Sequence, residues 1–153
     1  MGRMNWSRIL LAGLLAGMVI NTGEYLLHKI ILQQGWTDLM QKFKDAAEPK
    51  PGQFAALSVA GFVMGVLTVW LFAAIRPRFA STPKAVMSAA IAIWIPGYCL
   101  GLLAPFMLGI LPAGLVFPSM AGGIIELTLG ALLGGLIYAD ASRSPTAAAA
   151  AAA

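Results

Sequence analysis

Asn21, Glu24 and His28 stand three and four residues apart on one apolar run near the start of the chain, and Glu126 stands in another near its end. Ionisable side chains at lipid depth are costly and are kept either for packing or for function. One chemistry open to Glu24 and Glu126 is passage of a proton or cation, with Asn21 and His28 lending further polar groups. The alternative is structural: one or both acids are protonated and hydrogen-bonded to each other, to Asn21, Thr22 or Thr128, or to a freed carbonyl. Glu and His at i and i+4 share a helix face, which makes Glu24, His28 and Glu126 the only candidates for a metal ion. With a single histidine and no other strong ligand cluster, no metal site is assigned. A lone membrane histidine can also ligate haem or a chlorophyll-type pigment from one side, but a capping or interfacial place beside Lys29 is the preferred reading of His28. No nucleophile-base pair, phosphate-binding glycine loop or CxxC is present, so no enzymatic activity is expected. Bound lipid is the expected small-molecule company.

The elements that must hold these residues follow from composition. Of the 153 residues 59% are hydrophobic and only 10% charged, and mean hydropathy is +0.83. A soluble domain carries about 25% charged residues, so much of this surface must face lipid. Four segments approach the roughly 20 apolar residues that cross a hydrocarbon core: about 9–32, 53–75, 85–104 and 119–139. Lipid offers the backbone no partner, so each must be helical. The expected fold is all-α, an integral membrane four-helix bundle forming a single domain over 1–146. The first segment follows a basic start, as a secretory signal would, but no small-x-small cleavage site comes after it, and it is expected to stay as a span. Cys99, the single cysteine, leaves no intrachain disulfide.

The connections differ in kind. Trp36, Leu39, Met40, Phe43 and Ala47 recur at helical spacing opposite Asp38, Gln41, Lys42, Lys44 and Asp45. This predicts a short amphipathic interfacial helix over about 36–47, ended by Glu48-Pro49-Lys50-Pro51-Gly52. Arg76-Pro77-Arg78 to Lys84 reads as a basic cytoplasmic turn. The stretch 105–118 contains no charge and is expected to form a loop that dips into the interface or packs in an assembly. Arg3, Arg8, Arg76, Arg78, Lys84 and Arg143 on one side, against Lys29, Lys42, Lys44 and Lys50 on the other, favour an N-in, C-in topology in a bacterial inner membrane. Clustered in this way at the ends of apolar runs, the basic residues behind the net charge of +4 point to lipid headgroups and exclude nucleic acid as a partner. Ala147 to Ala153 form a low-complexity tail.

Gly13, Gly17, Asn21, Glu24 and His28 fall within an arc of about 80° at 100° per residue. Gly122, Glu126, Gly130 and Gly134 make a second such face. Glu126 lies about 10 Å, and Glu24 about 8 Å, from the same membrane surface at 1.5 Å per residue. Antiparallel pairing then sets Gly17 level with Leu133 and Gly134, and His28 level with Gly122. The first and last helices are therefore expected to touch through their small residues, with Gly61 and Gly65 adding a further close contact. Pro96-Gly97 is expected to kink the third span and free a carbonyl. Trp70, Trp94, Tyr98 and Tyr138 read as packing residues or interface anchors.

Met4-Asn5-Trp6-Ser7, Asn21-Thr22-Gly23-Glu24-Tyr25, Gly123-Ile124-Ile125-Glu126 and Gly134-Gly135-Leu136-Ile137-Tyr138 together resemble small, uncharacterised four-span bacterial membrane proteins. The resemblance covers the two ends, about a third of the chain. It implies a four-helix bundle with acids in its first and last spans, and it implies no reaction. Abundant packing chemistry leads to the expectation of a structural or accessory subunit, in a homo-oligomer or with other integral membrane subunits. The alternatives are a small transporter or proton-conducting protein using Glu24 and Glu126, and a pigment- or haem-associated subunit using His28.

Overall fold

The computed structural model describes residues 4–43 and 51–142. Arg3, the stretch 44–50 with Ala47, Arg143 and the tail from Pro145 lie outside the described residues. α1 spans Trp6–Leu26 and is capped by Asn5, whose side chain accepts from the Arg8 N–H at 3.2 Å. It runs into a π-helical turn, Leu27–Ile31, closed by Leu32 N–H donating to the Leu27 carbonyl at 2.8 Å. α2 follows at once as Gln33–Lys42. α3 is Pro51–Ile75, ended by a 3-10 turn at Arg76–Arg78. α4 is Thr82–Trp94, with Pro83 in its first turn, where a missing N–H costs nothing. A second π-helical segment, Ile95–Leu100, joins it to α5, Gly101–Met107. α6 is Ala113–Ser142. Among the described residues there is no strand.

Four stretches are long and apolar enough to cross a membrane: Trp6–Ile31, Gly52–Arg78, Thr82–Met107 and Ala113–Tyr138. All are longer than their sequence limits suggested, most of all around 105–118. Pro105 lies inside α5 and Pro118 inside α6, leaving only a tight turn. Gly109 makes that turn in the left-handed region, φ 71°, and donates to the Phe106 carbonyl while Ile110 donates to that of Pro105. The missing charge that made this stretch unusual as a loop has a simple cause: it is mostly helix end. α2, in turn, is shorter and earlier than expected, beginning at Gln33.

α3 and α6 touch each other, and each is flanked by α1 on one side and α4 on the other. The interior between them is small and tightly filled. Phe72, Ala85, Val86, Ala89 and Ala131 form one buried group, Ile20, Ala90, Tyr98 and Leu127 a second, and Ala12, Ala16 and Val69 a third. The outer faces carry Leu10, Leu11, Leu14, Leu57, Ile125 and Leu129 in exposed positions. An outer surface of this kind suits lipid and is unfavourable in water.

The helix seams correct the single glycine face assigned to α1. Gly13 and Gly17 face α3, not α6. A methyl at Gly13 would stand 2.6 Å from Val66 Cα, one at Gly17 would stand 2.7 Å from Phe62 Cα, and one at Gly65 would collide with the Gly17 backbone. The α1–α6 seam uses a second row of small residues on α1: Ala12 and Ala16 lie against Gly130 and Gly134, Gly23 against Glu126, and Leu27 against Gly122. An arc of about 80° on a helix with two neighbours is wide enough to be divided between them. Gly134 is thus level with Ala12 and Ala16 instead of Gly17, and Gly122 meets Leu27 instead of His28.

Candidate functional site

The polar centre is built where the two π-helical turns face α6. Glu24, on the last turn of α1, pairs with His28 on the first π turn, Oε2 to Nε2 2.8 Å. Tyr98, on the second π turn, donates its hydroxyl to Glu24 Oε1 and lies 3.4 Å from Glu126 Oε2. Trp36, on α2, donates its indole N–H to His28 Nδ1 at 2.8 Å. The sequence groups Asn21 with these residues, but the structure turns it the other way. Its amide donates to the Gly17 carbonyl and, across the α1–α3 seam, to that of Ser58. Glu24, His28 and Glu126 are brought together; Asn21 is a tie between α1 and α3.

Each position has a local cause. A Cβ at Gly23 of α1 would overlap the Glu126 side chain; a bare backbone at 23 is what lets the second acid in. A Cβ at Gly123 would stand 2.5 Å from the Tyr98 ring, so the phenol reaches Glu24 across α6 only where α6 has no side chain. Pro96 cannot donate to the Ala92 carbonyl, which accounts for the loosened turn that carries Tyr98. No comparable residue explains the turn at Leu27–Ile31. Both π turns among the described residues carry a member of the polar centre, a recurrent association between such turns and functional side chains.

The centre is uneven in its exposure. Glu126 is 6% exposed and Tyr98 7%, while the side chains of His28 and Glu24 are 26% and 33% exposed. Glu24 lies about 10 Å short of Ile31 at 1.5 Å per residue, so the centre opens toward the end of the bundle where α2 sits. Toward the other end the interior holds Ile20, Leu127, Ala16, Val69, Ala131 and Phe72, all 1% exposed or less. The one buried hydroxyl there, Thr68, donates to its own helix at Met64. Among the described residues that half of the interior holds no carboxylate, imidazole or amine.

Hydrogen counting constrains the protons. An indole N–H can only donate, so Nδ1 of His28 is an acceptor and the imidazole proton sits on Nε2, donated to Glu24. Tyr98 has one hydrogen and gives it to Glu24; its contact with Glu126 is a hydrogen bond when Glu126 carries a proton to donate. Donation then runs Glu126 to Tyr98 to Glu24, and from the other side Trp36 to His28 to Glu24. Both imidazole nitrogens are engaged, so ligation of haem or another tetrapyrrole through His28 requires displacing Trp36 or Glu24. No group of three His, Cys, Asp or Glu side chains among the described residues is placed to hold a metal ion; Tyr98 lies between the two acids.

Tyr98 and Trp36 are the members that sequence reasoning missed, each read as packing or interface. A hydroxyl in mid-span, two residues past a proline, must find a partner, and that signal was available for Tyr98. Trp36 carried no such signal, because its bond depends on how α2 folds back. Trp94, expected as an anchor, ties α4 to α6 by donating to the Met120 carbonyl at 2.7 Å. Compared with known proteins, the chain matches no family model, no curated protein and no solved structure.

Proposed function

We propose that the chain is a small structural or accessory subunit of a bacterial inner membrane, with both termini cytoplasmic, assembling with copies of itself or with other integral membrane subunits. The observation that carries this reading is the state of its intramembrane polar groups. Among the described residues every buried side-chain nitrogen and oxygen has a partner, and the bonds of Tyr98 to Glu24, Asn21 to Ser58 and Trp94 to Met120 join separate helices, so the polar centre serves as a lock on the bundle. Beyond the lock the interior is packed with apolar side chains, and what the spans present outward is apolar helix surface. The groove between α1 and α3, lined by Leu10, Leu14, Val59, Phe62, Val63 and Val66, suits a lipid acyl chain. Arg8, Arg76, Arg78 and Lys84 gather at one end of the bundle, consistent with a cytoplasmic face. The test is purification in mild detergent from cells expressing the protein at its endogenous level. A defined oligomer or a stoichiometric membrane partner is expected, and a lone monomer overturns the proposal.

A second reading, proton conduction, is favoured by the line of exchangeable groups from Glu126 through Tyr98 and Glu24 to His28. It requires water or a partner to bridge the apolar half of the interior. Proton flux into liposomes holding the purified chain tests it. Flux unchanged by Glu24→Gln combined with Glu126→Gln removes this reading and leaves the first.

A further inference from the structure

Of the three residues by which α2 rests on the bundle, two make apolar contacts. Gly35 sits over Leu115, where a Cβ would stand 2.8 Å from Leu115 Cδ2, and Leu39 is buried. The third is Trp36. Its bond to His28 is the one side-chain hydrogen bond from α2 to the spans among the described residues; Gln34 pairs with Asp38 and Thr37 with the Gln33 carbonyl, all within α2. Met40 and Phe43 point away and are exposed. Leu115 belongs to the first turns of α6, so α2 reaches from α6 to His28 at the mouth of the polar centre while itself held by little.

The bond depends on the charge of the imidazole. A neutral ring with its proton on Nε2 offers a lone pair at Nδ1 to the indole N–H. A protonated ring donates at both nitrogens, which sets two N–H groups against each other at the 2.8 Å separation of Trp36 Nε1 and His28 Nδ1. Charged and titratable groups face His28 from several elements. Glu24 accepts from Nε2, Glu126 lies beyond Tyr98, and Lys29 is drawn aside over the Phe54 ring of α3 at 4.9 Å; on α2, Asp38 is held by Gln34. The His28 and Trp36 rings also stack edge to face, 5.5 Å between centroids. Histidine is the side chain that changes charge near neutral pH.

We propose that Trp36 and His28 form a proton-operated latch: neutral His28 holds α2 over the mouth of the polar centre, and protonation of His28 releases it. This goes beyond the accessory-subunit reading and does not depend on it. The test is amide hydrogen exchange of residues 33–42 in the full chain in lipid nanodiscs at pH 8 and pH 5, expressed as protection factors so that intrinsic rates cancel. Protection is expected to fall about tenfold at pH 5, the equivalent of one hydrogen bond, while α1 and α6 keep theirs. Trp36→Phe should show the low protection at both pH values. His28→Asn, whose amide oxygen can stand in for Nδ1 but does not titrate, should keep its protection at both. Imidazole nitrogen NMR at pH 8 provides a readout free of mutation, with the proton expected on Nε2. Equal protection in the native chain at the two pH values, a pH-dependent loss that persists in Trp36→Phe, or a proton found on Nδ1 at pH 8 each overturns the latch.

Discussion

Glu24→Leu is expected to lower the stability of the bundle by about 2–3 kcal/mol in SDS-driven unfolding from mixed micelles. Glu24 is the acceptor on which both arms of the polar centre converge. Without it the His28 Nε2–H has no acceptor, and the Tyr98 hydroxyl must turn to Glu126, which lies 3.4 Å away. The partial exposure of Glu24 and His28 lets water recover some of this, which holds the figure below that of a fully buried ion pair. Glu24→Gln should cost less, because its amide oxygen still accepts from Tyr98. It should nevertheless loosen α2, since an amide NH2 facing Nε2 favours moving the imidazole proton to Nδ1, against Trp36. Adding His28→Leu to Glu24→Leu removes the orphaned donor, so the two losses should not add, although α2 then loses the acceptor of Trp36. A Glu24→Leu chain as stable as the native one would mean that the acids do not lock the bundle.

How much of this was legible in the sequence depends on which property a residue contributes. Spans are defined by the sum of many side chains, so the four apolar runs declared themselves, and so did the acids, since charge in such a run is conspicuous. The ends of the spans were harder. Pro105 and Pro118 read as loop, yet in a stretch without charge nothing draws the backbone out of lipid, and the helices continue through both. Partner choice was harder still. Gly13 and Gly17 announced a close contact but not with which helix, while Ala12, Ala16 and Gly23, the row that meets α6, stood out less because alanine is common in any apolar run. Tyr98 and Trp36 were hidden by their own chemistry: most of each side chain is apolar, and the single polar atom that matters is assigned a partner only by tertiary structure.

Gly65→Leu should have the larger effect, a loss of about 3 kcal/mol or more. A side chain at Gly65 would project onto the Gly17 nitrogen and Cα and the Gly13 carbonyl. These are backbone atoms, and no rotamer change can clear them, so α1 and α3 must part along their length. Lipid supplies no hydrophobic drive to hold two helices whose close packing has been lost. Gly114→Leu is the matched control: a Cβ there meets nothing within 4 Å, and replacing glycine in a helix is mildly favourable, so its unfolding midpoint should equal or exceed the native one. Equal losses in the two variants would show that the seam is not tight. The seam also governs the polar centre. Asn21 is bonded to Ser58 of α3, and Glu24 and His28 follow on the same helix within two turns. Displacing α1 from α3 therefore shifts Glu24 against Tyr98 and His28 against Trp36. In whatever fraction of Gly65→Leu chains remains folded, α2 should exchange its amides faster than in the native chain at pH 8, although the substituted residue lies on a different helix from either partner of the latch.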